Sequence, residues 1–196
     1  MGNPWKDISL SDYENHMCLD SVKQLQVLNE AMKEQFDMFP VDNAMVLGVA
    51  GGNGLEHIDP AKYVKVYGVD INAGYLEETK NRYKELEGIL ECICLDLINE
   101  PEKLPHSDLL IANLLIEYIG YEAFQKVVKK INPKYVSAVI HSTDLRSIHP
   151  DVTCFTQQHL QRTYKTHLEH HRGDQTKNPC PINRLVVVWS WTHVCG

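Results

Sequence analysis

Three glycines and one acid carry the most legible chemistry in the chain. Gly51, Gly52 and Gly54 follow the apolar run Val46-Leu47-Gly48-Val49-Ala50, and Asp70 closes a second such run, Val66-Tyr67-Gly68-Val69. Glycine has no side chain and tolerates positive φ, so a turn this rich in it lets the main chain approach a ligand closely. A lone carboxylate at the tip of the neighbouring strand can accept both hydroxyls of a ribose. Asp70 lies sixteen residues past Gly54, the span of a short helix and a return strand. The pair reads as the nucleoside-binding edge of one βαβ unit.

The other candidates are groups that could move a proton. His141 ends the fifth predicted strand, where sites of open α/β sheets lie, although a buried, hydrogen-bonded histidine fits there too. Glu117 follows the fourth strand and reads equally as a loop residue. Tyr13 and His16, three apart, share one face of a predicted helix. Plain packing is the alternative for that helix. His167, His170 and His171 offer imidazoles but no third spacing completes a metal pattern, so no metal is expected. Cys18, Cys92, Cys94, Cys154, Cys180 and Cys195 form no CxxC pair and read as reduced, structural thiols.

These residues need a scaffold, and the spacing predicts one. Ser11-Asp12-Tyr13-Glu14 fits a capping box opening a short helix through about Cys18. Asp20 can cap a longer helix reaching Phe39, with Val22, Leu25, Leu28, Met32 and Phe36 on its apolar face and Pro40 ending it. Strands are predicted near 44–49, 65–69, 90–95, 107–112 and 135–141, with helices at about 54–59, 73–86 and 121–131. Such alternation of short apolar strands and helices argues for a parallel sheet covered on both faces. After His141, a helix at 156–164, a strand at 165–171 and a strand within 182–193 predict a closing antiparallel hairpin.

With 196 residues, one domain with modest extensions is expected. The net charge of -7 contains no basic block, which disfavours nucleic acid as a partner. There is no apolar run of membrane-spanning length and no signal-peptide core at the start, so a cytoplasmic protein without membrane contact is expected, as a monomer or homodimer.

The order of motifs resembles the class I S-adenosylmethionine-dependent methyltransferases. Val49-Ala50-Gly51-Gly52-Asn53-Gly54 occupies their glycine motif, and Asp70 matches the acid that holds the ribose. Asp96, in Cys94-Leu95-Asp96-Leu97, matches the third motif, whose acid and following amide address adenine; a turn or cap residue is the other reading. Ser107-Asp108-Leu109-Leu110-Ile111-Ala112-Asn113 matches the fourth, although Asn113 also suits a simple strand end. The likeness covers about residues 43–141. It implies a three-layer α/β/α sandwich whose mostly parallel seven-stranded sheet has order 3-2-1-4-5-7-6 with an antiparallel closing strand. The whole chain, 1–196, would be one such domain, with 1–40 as a helical cap and 43–196 as the Rossmann-like core. Gly48, Ala50, Gly51, Gly52, Gly54, Asp70, Ile71, Asp96, Leu97 and Asn113 would then hold S-adenosylmethionine, or its product S-adenosylhomocysteine.

Two departures stand out. Gly48 replaces the acid usually found near the cofactor's amino group, which leaves Glu14 or Glu117 as its counter-charge. Ala50 replaces the first motif glycine, a change that leaves room for a ligand if its φ is negative. The implied reaction is in-line methyl transfer, with His141, Glu117, His16 or Tyr13 as general base if the acceptor must lose a proton. Asn113-Leu114-Leu115-Ile116 stands where amide and exocyclic amine methylases carry an Asn-Pro-Pro-Tyr type sequence, which argues against those enzymes, and the small chain, negative charge and lack of a recognition domain make a small-molecule acceptor the preferred one. Its pocket would be built from residues 1–40 and 142–181. The other readings are a non-catalytic or regulatory protein with a degenerate pocket, favoured by Gly48 and Ala50, and a nicotinamide-dependent oxidoreductase. The latter's G-x-G-x-x-G fingerprint does not fit this register.

Overall fold

The computed structural model describes residues 4–19, 24–141 and 184–189. The five apolar runs form strands β1 (Asn43–Leu47), β2 (Lys65–Asp70), β3 (Leu90–Cys94), β4 (Leu109–Asn113) and β5 (Tyr135–His141), and Arg184–Trp189 forms β6. Among the described residues the sheet order is β3-β2-β1-β4-β5-β6. The first five strands are parallel, while β6 runs antiparallel to β5 with Ala138 opposite Val187. The chain moves outward from β1 through β2 and β3, then returns to place β4 on the other side of β1. That reversal opens a crevice at the carboxyl ends of β1 and β4, the usual place for a ligand in such sheets. The segments predicted as a helix at 156–164 and a strand at 165–171 lie outside the described residues.

Both faces of the sheet are covered, which is why β1 and β4 are apolar almost throughout. On one face Met32, Phe36 and Phe39 of the α2 region and Leu76 of α3 pack with Val46, Val66, Leu109 and Ile111; α2 is Gln24–Met38 and α3 is Ala73–Arg82. On the other, Phe124, Val127, Val128 and Ile131 of α5 (Tyr121–Ile131) meet Met45, Leu47, Leu110 and Val136. Each fully buried side chain of this kind contributes about 1.5–3 kcal/mol. A short helix, α4 (Ile116–Ile119), follows β4, and α1 (Leu10–Cys18) packs through Met17 against Leu28, Ala31 and Val139.

The helix expected at 54–59 is only a 3-10 turn, Leu55–His57. A Cβ placed on Gly54 would lie 2.5 Å from the Met32 Cβ, so α2 already fills the space beside the turn. Ile58 then leaves in an extended conformation, and Pro60 biases Asp59 away from helix as well. The helix expected at 73–86 also breaks, since Tyr83 (φ −116°, ψ 44°) separates α3 from a 3-10 turn at Lys84–Leu86. The cap of α1 is Ser9, two residues before the expected one. Its Oγ accepts the Asp12 amide at 3.1 Å and donates to the Asp12 carboxylate at 2.7 Å. The expected cap of the second helix, Asp20, lies outside the described residues, and α2 is described from Gln24.

Candidate functional site at the carboxyl ends of the strands

The turn leaving β1 is built by main-chain conformation. Gly48 takes φ +66°, and the amides of Gly48 and Val49 both donate to the Val69 carbonyl, at 2.8 and 3.1 Å. Ala50 follows at φ +47°, so the condition under which its methyl would leave room for a ligand, a negative φ, is not met. The left-handed conformation costs an alanine about 1–2 kcal/mol. It is held at both ends of the residue. The Ala50 amide donates to Asp70 Oδ2 at 2.9 Å, and its carbonyl accepts from Thr79 Oγ1 at 2.8 Å.

Asp70 thus sits at the end of β2 with its second oxygen accepting the Asn72 amide at 2.9 Å. Burial pushes its pKa up, against the main-chain amides of Asn72, Ala50 and Ile71 that favour the charged form. Asn72 in turn caps α3, its side-chain oxygen accepting from the amides of Gly74 and Tyr75 at 3.0 and 3.2 Å. The sequence reading missed Asn72, although Asp-x-Asn before an amphipathic run is a recognisable helix start.

The glycines divide between two tasks. At Gly52 (φ +85°) a Cβ would fall 2.6 Å from the Tyr83 ring, so Gly52 and Gly54 make room for this chain's own Tyr83 and Met32. Gly51 faces the cleft instead, where a Cβ would meet Glu14 Oε1 at 2.6 Å. Tyr13, Glu14, Leu28, Gly48, Ala50 and Asn113 are among the residues that line this cleft.

Of the two acids considered as counter-charge, Glu14 is beside the turn and Glu117 stands exposed on α4. Arg82, which had no signal in the sequence, engages Glu14 through Nη2 at 3.0 Å and also donates to the Gly51 carbonyl at 3.3 Å. At Gly48 a side chain would meet Leu115 Cδ1 at 3.0 Å, so an apolar group borders the position that resembles an acid site. Asn113 is locked from behind. It exchanges two hydrogen bonds with Gln35, at 2.9 and 3.0 Å, and accepts the Val139 amide at 3.1 Å. Gln35, 1 % exposed, also donates to Ser137 Oγ at 2.9 Å.

Tyr13 packs against Tyr75, ring centroids 6.1 Å apart. Burial, reinforced by the negative charge of Asp70, pushes the Tyr13 phenol up to about 12. It therefore keeps its proton near neutrality. His16 is exposed on α1 and is not among the cleft residues, while Met17 is buried between α1 and α2. His141 ends β5 at the same rim. Ile71 is half-buried after Asp70, and Leu97 is buried in the α5 face of the core. Burial works against the charged form of Asp96, yet hydrogen bonds from the Asn99 side chain and from the Ile98 and Asn99 amides lower its pKa. Those bonds give Asp96 a turn-forming role. Among the described residues no group of three metal-ligating side chains occurs, and no helix is long and apolar enough to cross a membrane.

No family model matches the sequence, and no curated protein matches it. Solved structures do. The chain is similar to the N-methyltransferase NodS from Bradyrhizobium japonicum WM9, at 14% identity over 89% of this chain and 99% of that one, with a TM-score of 0.62. The complex of NodS with S-adenosyl-L-homocysteine gives 13% identity, 79% and 87% coverage and a TM-score of 0.57. An rRNA methylase from Streptococcus thermophilus gives 16% identity, 85% and 95% coverage and a TM-score of 0.58. At these identities the likeness is one of fold. The chain has the Rossmann-like α/β fold of class I S-adenosylmethionine-dependent methyltransferases, as the motif order implies.

Proposed function

We propose that the chain binds S-adenosylmethionine at this rim and transfers its methyl group to a small-molecule acceptor by direct in-line displacement. The observation that carries the reading is the hydrogen bond from Ala50 to Asp70, which sets a buried carboxylate beside a left-handed turn at the point where the strand order reverses. The residues fit the group at two places. Asp70 has acceptor capacity left for ribose hydroxyls, and Glu14 lies against Gly51, where an ammonium needs a counter-charge. When bound, S-adenosylmethionine supplies an electrophilic methyl on a positively charged sulfur. The chain's own contribution is to position the acceptor and exclude water.

Since Tyr13 holds its proton, a proton leaving the acceptor would go to His141, at the end of β5, or to bulk water. On this reading the full sheet would have seven strands in order 3-2-1-4-5-7-6, and residues 1–196 would be one domain. The mixed company of NodS and an rRNA methylase leaves the acceptor class to experiment; the acidic net charge favours a small molecule over RNA. Mass spectrometry of the purified chain for bound S-adenosylmethionine or S-adenosylhomocysteine, followed by calorimetric titration with both, tests the reading. Absence of any binding would overturn it.

A second reading has its own support. Leu115 against Gly48, and Arg82 on Glu14, weaken the charge complementarity expected of a working methionine site. A regulatory protein that binds the cofactor without turnover fits those contacts. Tight product binding with no methyl transfer to an acceptor panel would favour it.

A further inference from the structure

The segment Pro4–Ile8 runs along the rim where the nucleoside would lie. Asn72 Nδ2 donates to the Trp5 carbonyl at 2.9 Å, with longer approaches of 3.4 Å to the carbonyls of Lys6 and Ile8. The Trp5 indole stands edge-on to Tyr118, centroids 4.8 Å apart, and to Tyr13 at 6.2 Å. Lys6 lies close enough to Asp96 for its charge to favour that carboxylate. The segment therefore touches the start of α3 after β2 and the helix after β4, and the charge of Lys6 reaches the turn after β3. If Asp70 holds a ribose, the nucleoside and this segment compete for one volume.

A second observation points to a ligand there. Tyr75 is 4 % exposed, and among the described residues its hydroxyl has no hydrogen-bond partner. It lies beneath Tyr13, close enough to Asp70 for that charge to act on it. A buried hydroxyl left unpaired carries a desolvation cost with nothing to offset it. Such a group marks a place where a polar ligand would gain a bond.

Resting on the cofactor reading above, we infer that Pro4–Ile8 is a displaceable cover: it excludes the nucleoside when Trp5 is docked, and binding exchanges the segment for the ligand and gives the Tyr75 hydroxyl a partner. The Asn72 amide meets the segment at 2.9 Å and twice at 3.4 Å, and two aromatic edges meet Trp5, contacts of a kind that a bound ligand can replace. Exchange is therefore within reach of a ligand's binding energy.

Calorimetric titration of the full chain with S-adenosylhomocysteine tests this on the parent, Trp5→Ala and Asn72→Asp. Aspartate at 72 keeps the oxygen that caps α3 and replaces the donor with a group that repels the three carbonyls. Both variants should bind more tightly than the parent by roughly three- to tenfold, as when a closed state of about two-thirds to nine-tenths is released. Tyr75→Phe should raise the unfolding midpoint of the unliganded chain and weaken binding. If Trp5→Ala binds as the parent does, or more weakly, the segment is a wall of the site and the cover is disproved while the cofactor reading stands. If no chain binds S-adenosylhomocysteine, the nucleoside reading fails and the cover falls with it.

Discussion

The amide of Ala50 donates to the carboxylate of Asp70 at 2.9 Å, joining the turn after β1 to the end of β2. Ala50 can do so only in its left-handed conformation, φ +47°. Ala50→Gly should therefore leave stability within about 1 kcal/mol of the parent, because the relieved strain offsets the entropy gained by the unfolded chain. Ala50→Val, β-branched at positive φ, should cost about 1–3 kcal/mol or more. Urea denaturation of both checks this. A loss with glycine as large as with valine would show that the Ala50 methyl itself holds the turn.

Glycine substitutions at the turn should separate by direction. Gly52→Val combines φ +85° with a collision against the Tyr83 ring and should unfold at markedly lower temperature even without ligand. Gly52 makes room for Tyr83, a use that the ligand-approach reading of the glycines does not include. Gly51→Ala meets only the ends of Glu14, Arg82 and Leu10, which can shift. It should leave the unliganded midpoint within a few degrees while weakening S-adenosylhomocysteine at least severalfold. Unchanged affinity would take Gly51 out of the site.

The pairing of Gln35 with Asn113 shapes the cleft from inside the core. Gln35→Leu should cost on the order of 2–4 kcal/mol, since it leaves Asn113 and Ser137 short of partners in a buried place. Chemical denaturation reads the loss directly. A neutral result would mean that water or local rearrangement replaces the amide.

At the opposite end of the sheet, Asp108 gives the chain an acid-sensitive anchor. Burial works against its charge, but the Lys134 ammonium with hydrogen bonds from Lys134, His106 and Asn43 holds its pKa below the ordinary 3.8. A depressed carboxyl contributes stability at pH above its unfolded value, and that contribution is lost as pH falls through the folded value. The stability gap between the parent and Asp108→Ala should be constant near neutrality and shrink below 3.8. A gap independent of pH would mean that packing, not charge, is what the variant loses.

Tyr13→Phe tests the proton assignment. With the phenol pushed up to about 12, its removal should lower affinity or rate without moving the pH profile between pH 6 and 9. A profile whose basic limb disappears in Tyr13→Phe would restore it as the base.

The strands and α5 were legible because apolar periodicity is a local signal. Tyr121–Ile131, with Ala123, Phe124, Val127, Val128 and Ile131 buried on one side, shows why. The place of Asp70 at the end of β2 was legible for a related reason, since a lone acid after four apolar residues marks the end of a buried strand. The cleft's second layer was not. Arg82 on Glu14 spans 68 residues and Gln35 on Asn113 spans 78, and no spacing rule connects such positions. The missing helix after Gly54 was misread for the same reason, because the obstacle is Met32 on α2.

That short turn has an electrical consequence. A full helix starting at a glycine turn aligns its peptide dipoles and presents about half a positive charge, with free amides, to whatever lies before it; this is how many folds grip a pyrophosphate. Leu55–His57 is three residues long, and the Gly54 amide is already donated to Glu56 Oε2 at 2.9 Å. The turn after β1 therefore offers no helix-borne positive pole of its own. With the carboxylates of Asp70 and Glu14 nearby, a phosphate at that turn would meet negative charge, which accords better with the proposed cationic cofactor than with a dinucleotide.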